Sequence, residues 1–178
     1  MSKWILKLLG WQIQGQPSTT KYVMILAPHT SNWDFIIGIL ARNAVDPSIK
    51  YMGKSQLFKA PWGWLFRALG GIPVYRDSHN NMVQQIAERF NRQSDFKVVM
   101  APEGTRSPVT KWKMGFYHIA KQAQVPILAV GLDYQNKTIS IKTEQHTSDD
   151  MAADCQQLLA FYQGIAGKYP KALPKSLT

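Results

Sequence analysis

His29 and Asp34 stand with four residues between them in the string APHTSNWDF, where one apolar run, YVMILAP, gives way to another, FIIGIL. Two ionisable side chains at the exit of a buried segment cost desolvation unless they find partners, and at this spacing they can meet. A carboxylate that accepts from one imidazole nitrogen fixes the tautomer and leaves the other nitrogen free as a general base. That chemistry suits removal of a proton from an alcohol as it attacks a carbonyl. The same string also reads as a plain helix start, in which Asn32 caps, Asp34 complements the helix dipole and His29 is a satisfied half-buried side chain.

Two further strings bear on that choice. In APEGTRS, residues 101 to 107, Gly104 permits close backbone approach, Thr105 and Ser107 supply donors, and Arg106 presents a planar fork suited to phosphate. Glu103 is placed to hold the arginine or the loop. Arg76 closes GGIPVYR and brings a second arginine from another strand end. Two arginines and a loop of backbone donors make a phosphate site. Other chemistries lack their motifs: there is no G-x-S-x-G elbow, no phosphate loop of the G-x-x-x-x-G-K type, no G-x-G-x-x-G, and no cysteine or histidine cluster at metal spacing. The missing nucleophile motif favours direct attack by the acceptor over a covalent intermediate, although Ser31 lies close to His29.

These loops need a frame, and the hydropathy pattern supplies one. KYVMILA, IKYMGK, GIPVYR, FKVVMAP, VPILAVGLDY and KTISIKT read as strands. Helices are expected from Asn32 through FIIGILARNA, over WGWLFRALGG, SHNNMVQQIAERFNRQ and GFYHIAKQA, and after TSDD, whose acidic residues suit a helix N-terminus. Strands alternating with helices imply an α/β fold: a mostly parallel central sheet flanked by helices, with the chemistry on loops beyond the strand ends.

The chain of 178 residues is 45% hydrophobic, which suits one domain over residues 1 to 178. Its lone cysteine, Cys155, excludes an internal disulfide and reads as a packing residue. The net charge of +10 argues for anionic partners, and the absence of nucleic-acid motifs among scattered basic residues favours a membrane surface or a phosphorylated substrate over nucleic acid. No stretch approaches the ~20 apolar residues of a membrane span. Residues 1 to 15 suggest an amphipathic helix over 3 to 13, with Trp4, Ile5, Leu6, Leu8, Leu9 and Trp11 on one arc and Lys3 and Lys7 opposite. It is either an interfacial anchor or a helix docked on the protein's own core.

In this order, the strings resemble the glycerolipid acyltransferase family typified by 1-acylglycerol-3-phosphate acyltransferase. The family's histidine, four residues and aspartate correspond to His29 and Asp34. Its glycine-rich strand ending in arginine corresponds to Gly71 through Arg76, and its Glu-Gly-Thr-Arg loop to Glu103, Gly104, Thr105 and Arg106. A fourth block, Val-Pro-Ile-Val-Pro, is approximated by Val125, Pro126, Ile127, Leu128 and Ala129, with alanine for the second proline. The resemblance covers about residues 21 to 132.

It implies a glycerol-3-phosphate acyltransferase-like fold and an O-acyltransferase in which His29 is the general base and Asp34 orients it. Arg76, Glu103, Gly104, Thr105 and Arg106 would bind the phosphate of a lysophospholipid, 1-acylglycerol-3-phosphate or a related acceptor. The acyl donor would be acyl-CoA or acyl-carrier protein, with no metal or further cofactor. The protein would sit in the cytoplasm as a peripheral partner of the anionic inner face of the cell membrane, with Trp62, Trp64 and Phe66 either a second membrane contact or part of the core. A basic lipid- or phosphate-binding module that kept the fold without turnover is the competing reading.

Overall fold

The computed structural model describes residues 1–75, 82–174 and 176–177. In chain order it runs α1 (Ser2–Leu8), β1 (Gln12–Gln14), β2 (Lys21–Ala27), α2 (Trp33–Val45), β3 (Lys50–Lys54), a 3-10 turn (Ser55–Phe58), α3 (Gly63–Ala68), β4 (Gly71–Val74), α4 (Met82–Arg92), β5 (Phe96–Met100), α5 (Gly115–Ala123), β6 (Ile127–Asp133), β7 (Thr138–Ile141) and α6 (Met151–Tyr162). The strands form one sheet in the order β1-β7-β6-β2-β5-β3-β4. All neighbours are parallel except β6 and β7. The mostly parallel sheet expected from the alternating pattern is present.

The central strand β2 explains why its sequence is apolar throughout. Val23, Ile25 and Ala27 point to one face, where Ile86 and Phe90 of α4, Phe116, Ile119 and Ala120 of α5, and Leu158 and Tyr162 of α6 cover them. Tyr22 and Met24 point to the other, against Ile37 and Ala41 of α2 and Leu6 of α1. A strand covered on both faces has no polar side to show, which is the signature of a buried parallel sheet. Each fully buried side chain of this kind contributes roughly 1.5–3 kcal/mol relative to exposure. Cys155 is buried in the first layer, and burial, aided by Asp154, pushes its thiol up to about 11, in keeping with a packing role.

The N-terminus departs from the expected helix over residues 3 to 13. The helix stops at Leu8, Gly10 turns with φ +79°, and Trp11 drops into the core at 8% exposure. Gln12–Gln14 then pairs with β7 as a seventh strand, Gln12 Nε2 donating to Thr138 Oγ1 at 3.1 Å. A three-residue strand of sequence QIQ carries no apolar run, and only a partner far along the chain makes it one. The apolar residues of this segment divide: Leu6 and Trp11 serve the core, whereas Trp4, Leu8 and Leu9 remain exposed.

The sheet's handling of direction positions the chemistry. Because β2, β3, β4, β5 and β6 run parallel, the segments after each of them emerge at one edge. The His29 loop follows β2, Lys54 ends β3, Tyr75 follows β4, Glu103 follows β5 and Tyr134 follows β6. Arg76 falls outside the described residues.

Candidate active site

Asp34 sits in the first turn of α2 and is 2% exposed. Burial on that scale is tolerable because both carboxylate oxygens are supplied with donors. Oδ2 accepts from His29 Nδ1 at 2.9 Å, from the Thr30 amide at 2.7 Å and from the Ser31 amide at 2.8 Å. Oδ1 accepts from the Tyr134 hydroxyl at 2.7 Å. Burial alone would push the carboxyl up, but the bonds from His29, Tyr134, Ser31 and Thr30 together hold it below its ordinary value. Asp34 is therefore a carboxylate, an acceptor only, and the proton in the pair belongs to His29 Nδ1. Neutral His29 then carries its lone pair on Nε2, and the ring is half-buried.

The helix start is built differently from the expected cap. Asn32 makes no side-chain cap; the Ser31 hydroxyl accepts from the Trp33 amide at 3.2 Å instead. Asn32 is thereby released for another use, and its Oδ1 accepts from an Arg106 guanidinium nitrogen. That bond joins the loop after β2 to the loop after β5, and it holds an otherwise exposed arginine on the same edge as His29.

Within the loop after β5, Gly104 has φ +64°, and a Cβ there would come within 3.4 Å of the Lys113 side chain. Only glycine adopts that turn without strain. The Thr105 hydroxyl accepts from the Ser107 amide at 3.3 Å, folding the loop on itself. Glu103 turns inward, 3% exposed, with Oε2 accepting from the His29 amide at 2.9 Å and from Lys171 Nζ at 2.6 Å. Its carboxylate faces the backbone of the histidine loop, where it braces that loop. Arg106 is the exposed cation of the four residues in this string.

A model of the family described as Acyltransferase matches residues 12–133, which span both loops. The chain belongs to the Acyltransferase family. Among solved structures, the 1-acyl-sn-glycerophosphate (LPA) acyltransferase PlsC from Thermotoga maritima is similar, with a TM-score of 0.61 and 17% identity over 92% of this chain and 75% of that one. No curated protein matches the sequence. The family match makes acyl transfer the class of reaction, and the His29–Asp34 pair stands inside the matched region.

Several side chains of this candidate site escape sequence reasoning. Tyr134 lies at the end of a run read only as a strand, 100 residues from Asp34, and burial together with the Asp34 carboxylate drives its phenol far above its ordinary range, so it remains a donor. Asn32 was visible only as a cap. Lys171 lies beyond the matched region and had no local signal. Among the described residues no group of His, Cys, Asp and Glu is arranged to hold a metal ion.

Proposed function

We propose that this acyltransferase moves a fatty acyl group from an acyl thioester, acyl-CoA or acyl-carrier protein, to the hydroxyl of a lysophospholipid of the 1-acylglycerol-3-phosphate type. The observation that carries the reading is the 2.9 Å bond from His29 Nδ1 to a buried, four-fold-satisfied Asp34 carboxylate. It leaves Nε2 as an oriented base. The structurally similar Thermotoga maritima protein is a 1-acyl-sn-glycerophosphate acyltransferase, which supports the choice of acceptor.

In the proposed reaction Nε2 takes the proton of the acceptor hydroxyl as its oxygen adds to the thioester carbonyl. Asp34 stabilises the imidazolium that forms. Collapse of the tetrahedral intermediate breaks the carbon–sulfur bond, and the departing thiolate takes the proton from His29. Arg106, steadied by Asn32, binds the acceptor's phosphate, and Arg76 is proposed from the sequence as a second phosphate ligand. Oriented general-base catalysis of this kind is worth about 10²–10⁴-fold.

The reading places the protein on the cytoplasmic, anionic face of a membrane, where the acceptor resides. Supporting it are exposed apolar side chains on three elements that touch one another: Trp4 and Leu8 of α1, Trp33 and Ile36 of α2, and Trp64 and Leu65 of α3, with Trp62 just before it. α1 packs on α2, and α2 meets α3 through Phe35 and Phe66, whose centroids are 5.8 Å apart. Exposed indoles with Lys3, Lys7, Lys59 and Arg67 nearby in sequence suit a headgroup interface. No helix among the described residues is long and apolar enough to cross a membrane.

Purified protein incubated with acyl-CoA or acyl-carrier protein and lysophosphatidate, with thiol release followed, tests the reading. Release that disappears in His29→Ala is expected. Absence of release with every donor and lyso-lipid, or full activity in His29→Ala, would leave a non-catalytic lipid-binding module.

A further inference from the structure

The chain after α6 returns to the reactive edge and lies along the histidine loop. The Ala166 carbonyl accepts from the Tyr134 amide at 2.8 Å. Gly167 sits so close that a Cβ would come within 2.6 Å of Thr30. The Lys168 ammonium lies 4.8 Å over the Trp33 ring, and the Tyr169 amide donates to Thr30 Oγ1 at 3.4 Å. Lys171 follows, its side chain only 3% exposed and that of Glu103 only 1%.

An ammonium has three protons, and Lys171 has three acceptors: Glu103 Oε2 at 2.6 Å, the His29 carbonyl at 3.0 Å and the Thr105 carbonyl at 3.2 Å. No donor remains for a substrate phosphate. Glu103 Oε2 also accepts from the His29 amide at 2.9 Å, so one ion pair holds both the N–H and the C=O of the residue that carries the base. The same ammonium holds the backbone of the loop that carries Arg106. Buried ion pairs of this kind are seldom stabilising relative to apolar residues of the same shape, so stability does not account for this one. What it fixes is the position of one functional loop relative to the other.

We propose that Lys171 is a positioning residue for acyl transfer, clamping the His29 loop to the Glu103–Arg106 loop and so setting the distance between the base and the acceptor's phosphate. The mechanistic part rests on the function proposed above; the clamp itself does not. Lys171 lies outside residues 12–133, the span matched by the family.

The test compares wild type, Lys171→Met and the double variant Glu103→Gln/Lys171→Met, by kinetics with acyl-CoA and lysophosphatidate and by amide hydrogen exchange. In Lys171→Met, kcat is expected to fall about tenfold to hundredfold, the scale of a misplacement near 1 Å, while KM for acyl-CoA stays within about threefold. Exchange should rise about tenfold or more in both segments 28–34 and 103–107, and less than about twofold in β2 and β6. The double variant should recover about fivefold or more of the lost kcat, because a neutral side-chain amide at position 103 both accepts from the His29 N–H and donates to a carbonyl without leaving a buried charge unpaired. Unchanged exchange in either loop overturns the clamp. So does a rise spread equally through β2 and β6, or a failure of both variants to fold, since the pair would then serve the whole structure. A wild-type protein inactive with every donor would remove the proposed function, and the exchange pattern would still decide the clamp.

Discussion

The Tyr134 hydroxyl donates to Asp34 Oδ1 at 2.7 Å, supplying the carboxylate oxygen that the bonds from the histidine loop do not reach. Removing the donor leaves a buried carboxylate under-satisfied, and a hydrogen bond to a charged group is worth about 1.5–3 kcal/mol. Tyr134→Phe is therefore expected to lower kcat by about tenfold, one decade per 1.4 kcal/mol, with KM for acyl-CoA little changed. It should also make the Asp34 carboxyl titrate at a higher pH than in the wild type, because a bond that holds it down has been lost. A pH series on the two proteins checks both effects.

Asp34 also predicts how folding responds to acid. Its carboxyl lies below its ordinary value in the folded protein, so the unfolded chain binds the proton more readily. The resulting stability is fully present above the ordinary carboxylate value of 3.8 and is lost as pH falls through the lower, folded value. Asp34→Asn forgoes that contribution at every pH. Chemical denaturation of both proteins should show a stability gap at about pH 6 that narrows progressively below about pH 4.

His29, Asp34 and Arg106 were legible because each sits in a string whose residue types have few other uses together. The mostly parallel sheet was legible at the level of class, since YVMILA and PILAVGLD could only be covered on both faces, whereas the strand order was not. The supporting residues were not. Tyr134 and Lys171 reach the site through contacts 100 and 142 positions away in sequence, to Asp34 and to the His29 carbonyl, and nothing in LDY or YPKAL announces them. β1 was hidden for the same reason: QIQ is a strand because Thr138–Ile141 lies beside it. Asn32 differs: it holds the N-cap position as its type suggests, but its side chain makes no cap bond and accepts from Arg106 instead.

Arg106 and Asn32 should separate phosphate recognition from chemistry. Arg106→Ala is expected to raise KM for lysophosphatidate about tenfold or more while sparing the rate on a neutral monoacylglycerol, the loss expected for a charge-assisted contact. Asn32→Ala should act in the same direction and more weakly, by freeing the guanidinium it holds. Arg106→Lys should rescue only in part, because a point charge does not replace the planar fork. Paired kinetics on the two acceptors reads each effect.

The N-terminal segment offers a contrast between two neighbouring kinds of apolar residue. Leu6 is 1% exposed and packs with Ile37 and Ala41 on the face of the sheet beneath α2. Leu6→Ala should cost about 2–5 kcal/mol in stability, the range for a buried leucine. Trp4, Trp62 and Trp64 are 65%, 64% and 67% exposed, so replacing them with serine removes little packing. The triple serine variant should melt within about 0.5 kcal/mol per site of the wild type. Its binding to vesicles containing anionic lipid should nevertheless fall about tenfold or more, since each interfacial indole contributes buried apolar area at headgroup depth. Sedimentation with vesicles at low and high salt, beside thermal melts, distinguishes the two groups: unimpaired sedimentation of the serine variant would assign these tryptophans no part in membrane binding.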